Sequence, residues 1–401
     1  KSDSLGGAAR DITKTWKGKD VREYLSDLTM RIERHPMVEV LLMAEVTGSS
    51  GFVGNFETEV LCNGESRTIK HGVGIVATGA LASTPDEYLY GKNPRVTKWH
   101  DLEQDPEKIK RAESIVFIQC VGSRDENRPY CSKLCCTTSV LQAIAIKEMN
   151  PDINVFILYR DMRTYGEREA LYKKAREKGV IFIRFDLENA PQVEQLGDGR
   201  LKVTVRDPIL GFPINLEADI LGLASAIIVK EQEKLAQLFK VPLTNDGFFL
   251  EAHMKLRPVD FATDGVFIAG LAHYPKPIEE SIAQAQAAAA RAAGVMVQEA
   301  VEVEPIVSVV DQEKCIGCGQ SERSIHNRSG VGFSARRQGK APLQLHHFCS
   351  SGPDPACVVG RFMRRRRSRG VRSMPSARSS VPPHGPARSG VRSLPGCARA
   401  R

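Results

Sequence analysis

The run Ser114-Ile115-Val116-Phe117-Ile118-Gln119 decides the fold, together with the segment after it: Cys120, a polar loop, and a helical pattern from Leu134 to Met149. Apolar, β-branched residues with turn signals on either side predict a buried strand. A strand over Ile153 to Arg160, a helix over Gly166 to Lys178 and a strand over Val180 to Phe185 come next. This β-α-β-α-β order predicts an α/β domain with a doubly wound parallel sheet. Leu201 to Arg206 and Ile214 to Glu217 read as a meander, and Ala218 to Val229 as a return to the sheet.

Toward the N-terminus, Val21, Leu25, Leu28 and Ile32 have helical spacing, with His35 and Pro36 ending the helix before a strand from Val38 to Ala44. A two-stranded element comes after it, around Gly51 to Val60 and Arg67 to Ile69, with Cys62-Asn63-Gly64-Glu65 as its turn. Val73 to Gly79 reads as a buried strand entering a glycine turn, and Leu81 to Pro106 as an irregular crossover. Toward the C-terminus, Gly265 to Gly270 reads as a second strand ending in glycine, before an Ala-rich helix from Pro277 to about Ala300. Proline suits the first position of such a helix.

The 401 residues are 42% hydrophobic and 26% charged, a soluble globular composition with room for more than one core. No apolar run approaches the roughly 20 residues of a membrane helix. The chain begins with Lys1 and has no apolar leader, so a natural N-terminus is not expected there. The net charge of +8 is uneven: from Gln320 onward there are 17 Lys and Arg against 2 Asp and Glu, which leaves residues 1–319 acidic at −7. Ten cysteines without a secretory leader predict reduced thiols and a cytoplasmic setting.

Four of these cysteines, Cys120, Cys131, Cys135 and Cys136, have the spacing C-x10-C-x3-C-C across the strand-to-helix junction. Doubly wound folds bind cofactors at such junctions. The positive end of the helix is expected to lower thiol pKa values there. Four soft donors suit an iron–sulfur cluster or tetrahedral zinc, and the residues alone leave both open.

The stretch Gln119-Cys120-Val121-Gly122-Ser123-Arg124-Asp125 with Tyr130-Cys131-Ser132 and Cys135-Cys136 resembles the segment that marks the A subunit of heterodisulfide reductase. The resemblance runs from about Leu5 to Gly319. It implies a [4Fe–4S] cluster on Cys120, Cys131, Cys135 and Cys136, an FAD, and electron transfer to disulfide-reducing partner subunits from an electron-donor protein. It also implies a two-dinucleotide-binding, thioredoxin-reductase-like flavoprotein fold, present in part. The domains expected are 1–105, the first part of an FAD-binding domain without its N-terminal fingerprint; 106–250, a second doubly wound domain with the cysteines; and 251–305, the return to the FAD domain.

Candidate flavin contacts come from the same resemblance. Gly6 and Gly7 are similar to glycines that pass close to a dinucleotide. Ala77-Thr78-Gly79 resembles the turn of two-dinucleotide-binding flavoproteins, and Thr263 to Gly270 their second flavin-contacting strand. Leu271 stands where relatives of that fold usually place an Asp for the ribityl group. Pro277, opening a helix, and Lys276 are candidates for stabilising reduced flavin, although Lys276 reads equally well as a solvated surface lysine. Gly72 to Ala77 superficially fits a dinucleotide fingerprint but leads into a strand, not a helix. Cys120-Val121-Gly122-Ser123 takes the place of a phosphate loop, so no nicotinamide site is expected in the second domain.

Cys315-Ile316-Gly317-Cys318 opens like a bacterial ferredoxin motif, making Cys315 and Cys318 candidate ligands in a ferredoxin-like start over 306–319. Ser321 stands where the third cysteine belongs. From 320 to 401 the composition turns to Arg, Ser, Pro and Gly, which predicts a disordered basic tail and suggests a reading-frame shift or truncation in the sequence. The rival reading is a zinc-stabilised basic nucleic-acid binder, against which the missing interleaved aromatics count. The expectation adopted is an oxidoreductase subunit that binds no nucleic acid and spans no membrane.

Overall fold

Asp20 caps the first helix of the computed structural model, which describes residues 2–298 except 103 and 104, and residue 300. Its carboxylate accepts the Glu23 N–H and starts helix α1, Val21–Arg34, which stops before His35 and Pro36 as expected. The strand expected over 38–44 does not form: Met43 has a left-handed φ of 52°, incompatible with an extended run. The chain becomes extended at β1, Glu45–Phe52, paired antiparallel with β2, Asn55–Cys62, which pairs with β3, Glu65–His71. Asn63 and Gly64, both at positive φ, form the two-residue turn between β2 and β3.

The crossover contains short elements: β4 Gly74–Val76, β5 Leu81–Ala82, β6 Val96–Lys98, α2 Trp99–Leu102 and α3 Pro106–Lys110. The alternating region is β7 Ser114–Val121, α4 Cys135–Met149, β8 Asn154–Tyr159, α5 Glu169–Glu177 and β9 Ile181–Arg184. Next come the meander β10 Gln192–Gln195, β11 Leu201–Arg206 and β12 Pro213–Ala218, and the returning strand β13 Ile220–Ser225. The central sheet has the order β6-β13-β7-β8-β9 and every pair is parallel. One face packs Ile115, Phe117 and Ile157 against Val140 and Ala143 of α4. The other packs Val116, Ile118 and Leu223 against Leu201, Val203 and Val205 of the meander. Coverage on both faces explains why β7 and β13 read as unbroken apolar runs.

Gly222 is fixed by this packing. It is the register partner of Phe117, and a Cβ there would lie 2.7 Å from the Phe117 ring. Gly222→Ala is expected to cost about 1–3 kcal/mol, read as a lower denaturant midpoint with unchanged slope.

The chain closes with β14 Ile227–Ile228, α6 Gln232–Phe239, β15 Val266–Ile268 and α7 Ile278–Met296. Strand β15 pairs in parallel with β4, Ile268 opposite Val76. Pro277 is the N-cap of α7 and not its first residue, because its ψ of 162° is extended. Cys315, Cys318 and the tail from 320 lie outside the described residues. No helix among the described residues is long and apolar enough to cross a membrane.

Candidate functional site

Pairing of β4 with β15 brings together two segments almost two hundred residues apart in sequence. Beyond Val76 the chain runs through Ala77 and Thr78 to Gly79, and beyond Ile268 through Ala269 to Gly270. Ala269 N–H donates to Val76 O at 3.0 Å, so the two turns leave the sheet side by side. Both glycines are left-handed, at φ 76° and 74°, and a Cβ on either would meet nothing within 4 Å. Their requirement is conformational, and the space beside them is open to a ligand. Gln232 donates to Gly79 O at 3.3 Å while its own buried Oε1 has no partner. A pair of adjacent glycine turns with open space beside them and an orphaned polar atom nearby fits a flavin dinucleotide. Gly6 and Gly7 lie elsewhere in this geometry, at the start of a short 3-10 helix where Gly6 packs on Leu25 of α1.

The cysteines surround the end of β7 and the start of α4. Against β13, β7 carries a bulge between Ile118 and Val121, and Cys120 in it is left-handed at φ 63°. A bulge re-aims a side chain that a regular strand would send into the sheet. In the loop, Asp125 Oδ1 accepts the N–H groups of Asn127 and Arg128, and Arg124 N–H donates to Tyr130 O. Tyr130 O–H donates to Ile227 O at 2.8 Å, and Ser132 Oγ accepts Ile227 N–H at 3.0 Å, tying the loop to β14. Cys131 Sγ accepts Lys133 N–H at 3.3 Å, and Arg124 reaches both Cys120 Sγ, at 3.8 Å, and Asp161. Cys135 and Cys136 are buried at the head of α4.

One apolar core joins the two halves of the site. Ala80 follows Gly79, Leu271 follows Gly270, and both pack in the same cluster as Cys135, Tyr130, Phe248 and Tyr274. The rings of Tyr130, Phe248 and Tyr274 lie 5.3–6.0 Å apart. Lys133 pairs with Glu280 at 3.2 Å, Tyr165 O–H donates to Glu280 at 2.7 Å, and Arg168 pairs with Glu279. The cysteine loop is thereby bound to the first turn of α7.

The chain is 38% identical over 317 residues to the A subunit of the H(2):CoB-CoM heterodisulfide,ferredoxin reductase of Methanothermobacter thermautotrophicus, a match covering 73% of this chain and 46% of that protein. It is 42% identical over 252 residues to an iron-sulfur A subunit of the CoB–CoM heterodisulfide reductase of Methanopyrus kandleri, covering 58% and 38%. This chain is like the A subunit of heterodisulfide reductase. It spans less than half the length of these two relatives. No family model matches it. The fold is thioredoxin-reductase-like: thioredoxin reductases of T. acidophilum and Lactococcus lactis superpose with TM-scores of 0.50 and 0.51 at 17% and 15% identity, each over 74% of this chain and 88% and 90% of theirs.

In this heterodisulfide-reductase-like chain the thiols do not titrate as the helix end alone would suggest. Burial, and then the charge of Cys136, push Cys120 up to about 11. Cys135 is raised by donating its S–H to Cys136 as well as by burial. Cys136 is lowered, by that S–H, the Arg163 backbone N–H and the charges of Arg163 and Arg124. Burial and mutual repulsion outweigh the helix end for Cys120 and Cys135. Among the described residues, no group of three or more His, Cys, Asp and Glu side chains is arranged to hold a metal ion. Cys120, Cys131, Cys135 and Cys136 nevertheless feel one another's charge.

Lys276 is not a surface lysine. It is 8% exposed, and its Nζ donates to Gly270 O at 3.0 Å and to Gln284 Oε1 at 2.7 Å. Burial first, then the charge of Lys133, bring its pKa down to about 8. Nothing in the sequence pattern singles out Gln232, Glu251 or Gln284, because polar partners far apart in the chain carry no local spacing signal.

Proposed function

We propose that this chain is the flavin- and cluster-bearing part of an oxidoreductase subunit that passes electrons between FAD and a [4Fe–4S] cluster toward disulfide-reducing partner subunits. The observation that carries it is the shared apolar core, in which Ala80 and Leu271, the residues after the Gly79 and Gly270 turns, pack with Cys135. A buried, water-poor contact between a flavin seat and a thiolate seat suits electron exchange. When bound, FAD supplies the exchange between electron pairs and single electrons.

Ala77, Thr78, Gly79 and Gly270 are assigned to the flavin seat, with Pro277 directing the N-terminus of α7 and Lys276 adding charge from behind the turn. Gly6 and Gly7 are kept as candidates for a more distant part of the dinucleotide. Cys120, Cys131, Cys135 and Cys136 are assigned to the cluster, and Cys315 and Cys318 to a second one. Four thiols within reach of one another's charge supply the soft donors that a cluster or zinc takes, and the likeness to iron-sulfur A subunits favours the cluster. The division into an FAD domain over 1–105 and 251–305 and a cysteine domain over 106–250 belongs to the same proposal, as does a reducing cytoplasmic setting.

The protein prepared anaerobically with iron and sulfide is expected to carry iron, flavin and broad visible charge-transfer absorption. Zinc bound without that absorption rejects the cluster.

A further inference from the structure

Glu251, His273 and Gln284, none of which the proposed cofactor seats use, close round Lys276. The directions of their hydrogen bonds admit one assignment. Besides Gly270 O and Gln284 Oε1, Lys276 Nζ stands 3.1 Å from His273 Nδ1, which uses the third ammonium hydrogen. Gln284 Oε1 accepts Gly270 N–H at 2.9 Å, so its amide nitrogen, 2.7 Å from His273 Nδ1, donates there as well. Two donors at Nδ1 leave no proton on it. The imidazole proton therefore sits on Nε2 and points to Glu251 Oε2 at 2.8 Å. Burial, then the charge of Lys276, keep His273 below its ordinary pKa, in agreement with a neutral ring.

The N–H and the C=O of Gly270 are thus both bound by side chains, so the turn cannot move without breaking the network. All three ammonium hydrogens are also committed to protein acceptors, so Lys276 has none to hand to a ligand and can act only through its charge.

We propose that Glu251, His273 and Gln284 are positioning residues that hold Lys276 as an ammonium against the Gly270 turn, and that this network sets the reduction potential of the flavin seated there. The inference rests on the flavin reading above. Two electrons and one solvent proton entering the flavin leave one net negative charge, which the ammonium stabilises and the Glu251 carboxylate opposes. The other charged groups facing Lys276 are Lys133 and Glu280, which pair with each other.

The test is spectroelectrochemical titration of the flavin in the full-length, cofactor-loaded protein at about pH 6.5, below the lysine's pKa. Lys276→Met is expected to weaken the reduced form roughly tenfold, a fall of about 30 mV for a two-electron couple. Glu251→Gln keeps an acceptor for His273 but removes the negative charge, and is expected to move the potential the opposite way. Loosened packing would not give shifts of opposite sign. If Lys276→Met binds no flavin, the sign for Glu251→Gln decides: a rise supports the network, and a fall or no change overturns it. Flavin bound with neither potential moved overturns this inference alone, whereas wild-type protein that takes up no flavin overturns the reading beneath it as well.

Discussion

Serine in place of Cys136 is expected to lower the iron bound per chain by about four atoms, the content of one cluster. Cys136 is the thiol that its surroundings already favour as thiolate, through the Cys135 S–H and the Arg163 N–H. Its replacement removes a proposed ligand that is already favoured as thiolate and leaves the Cys135 S–H with a weaker partner at the head of α4. Cys62→Ser is the control: Cys62 ends β2 and donates to Leu42 O at 3.3 Å, apart from the β7–α4 junction. Equal iron in wild type, Cys136→Ser and Cys62→Ser would remove the four cysteines from the metal assignment. Cys120→Gly separates metal binding from folding. It should lose the same iron, yet glycine relieves a left-handed conformation that costs roughly 1–2 kcal/mol and returns about 0.5–1 kcal/mol of this as chain entropy. The metal-free protein should therefore melt no lower than its parent, as calorimetry can check.

The parts of this site that are legible in the sequence are those whose signal is local. The cysteine spacing, the apolar run of β7 and the helix from Leu134 each lie within one short window, and the structure begins α4 at Cys135. The glycines after β4 and β15 are legible as turns, but their adjacency is a property of parallel pairing across the chain. The bulge at Cys120 is hidden because Gln119 and Cys120 look like the ordinary end of a strand, and only the register against β13 exposes the extra residue. Helix α6 escapes notice for a related reason. It follows Glu231 in a left-handed conformation with no side-chain cap, so the usual start signal is absent. Lys276 shows the limit of composition most clearly: a lysine between two prolines reads equally well as a flavin-side charge or a surface one, and only its tertiary partners show that it is buried.

Phe117→Ala is expected to cost about 3–5 kcal/mol, the largest loss of stability among these substitutions. Phe117 is fully buried and packs with Val140 and Ala143 of α4 while lying beside Gly222 of β13 and Ile157 of β8. Its ring fills the space between the strand that carries Cys120 and the helix that begins at Cys135. A cavity there weakens the spacing of the two arms of the cysteine set, so iron retention should fall with the denaturant midpoint. The double variant with Gly222→Ala tests the geometry directly. Alone, the added methyl group collides with the Phe117 ring; with the ring absent, it enters the space vacated and most of its cost disappears. The two substitutions should fall short of additivity by about 1–2 kcal/mol. Additive losses would mean that the ring and Gly222 are not in contact, and the spacing of the β7–α4 junction would then have to be set by other side chains.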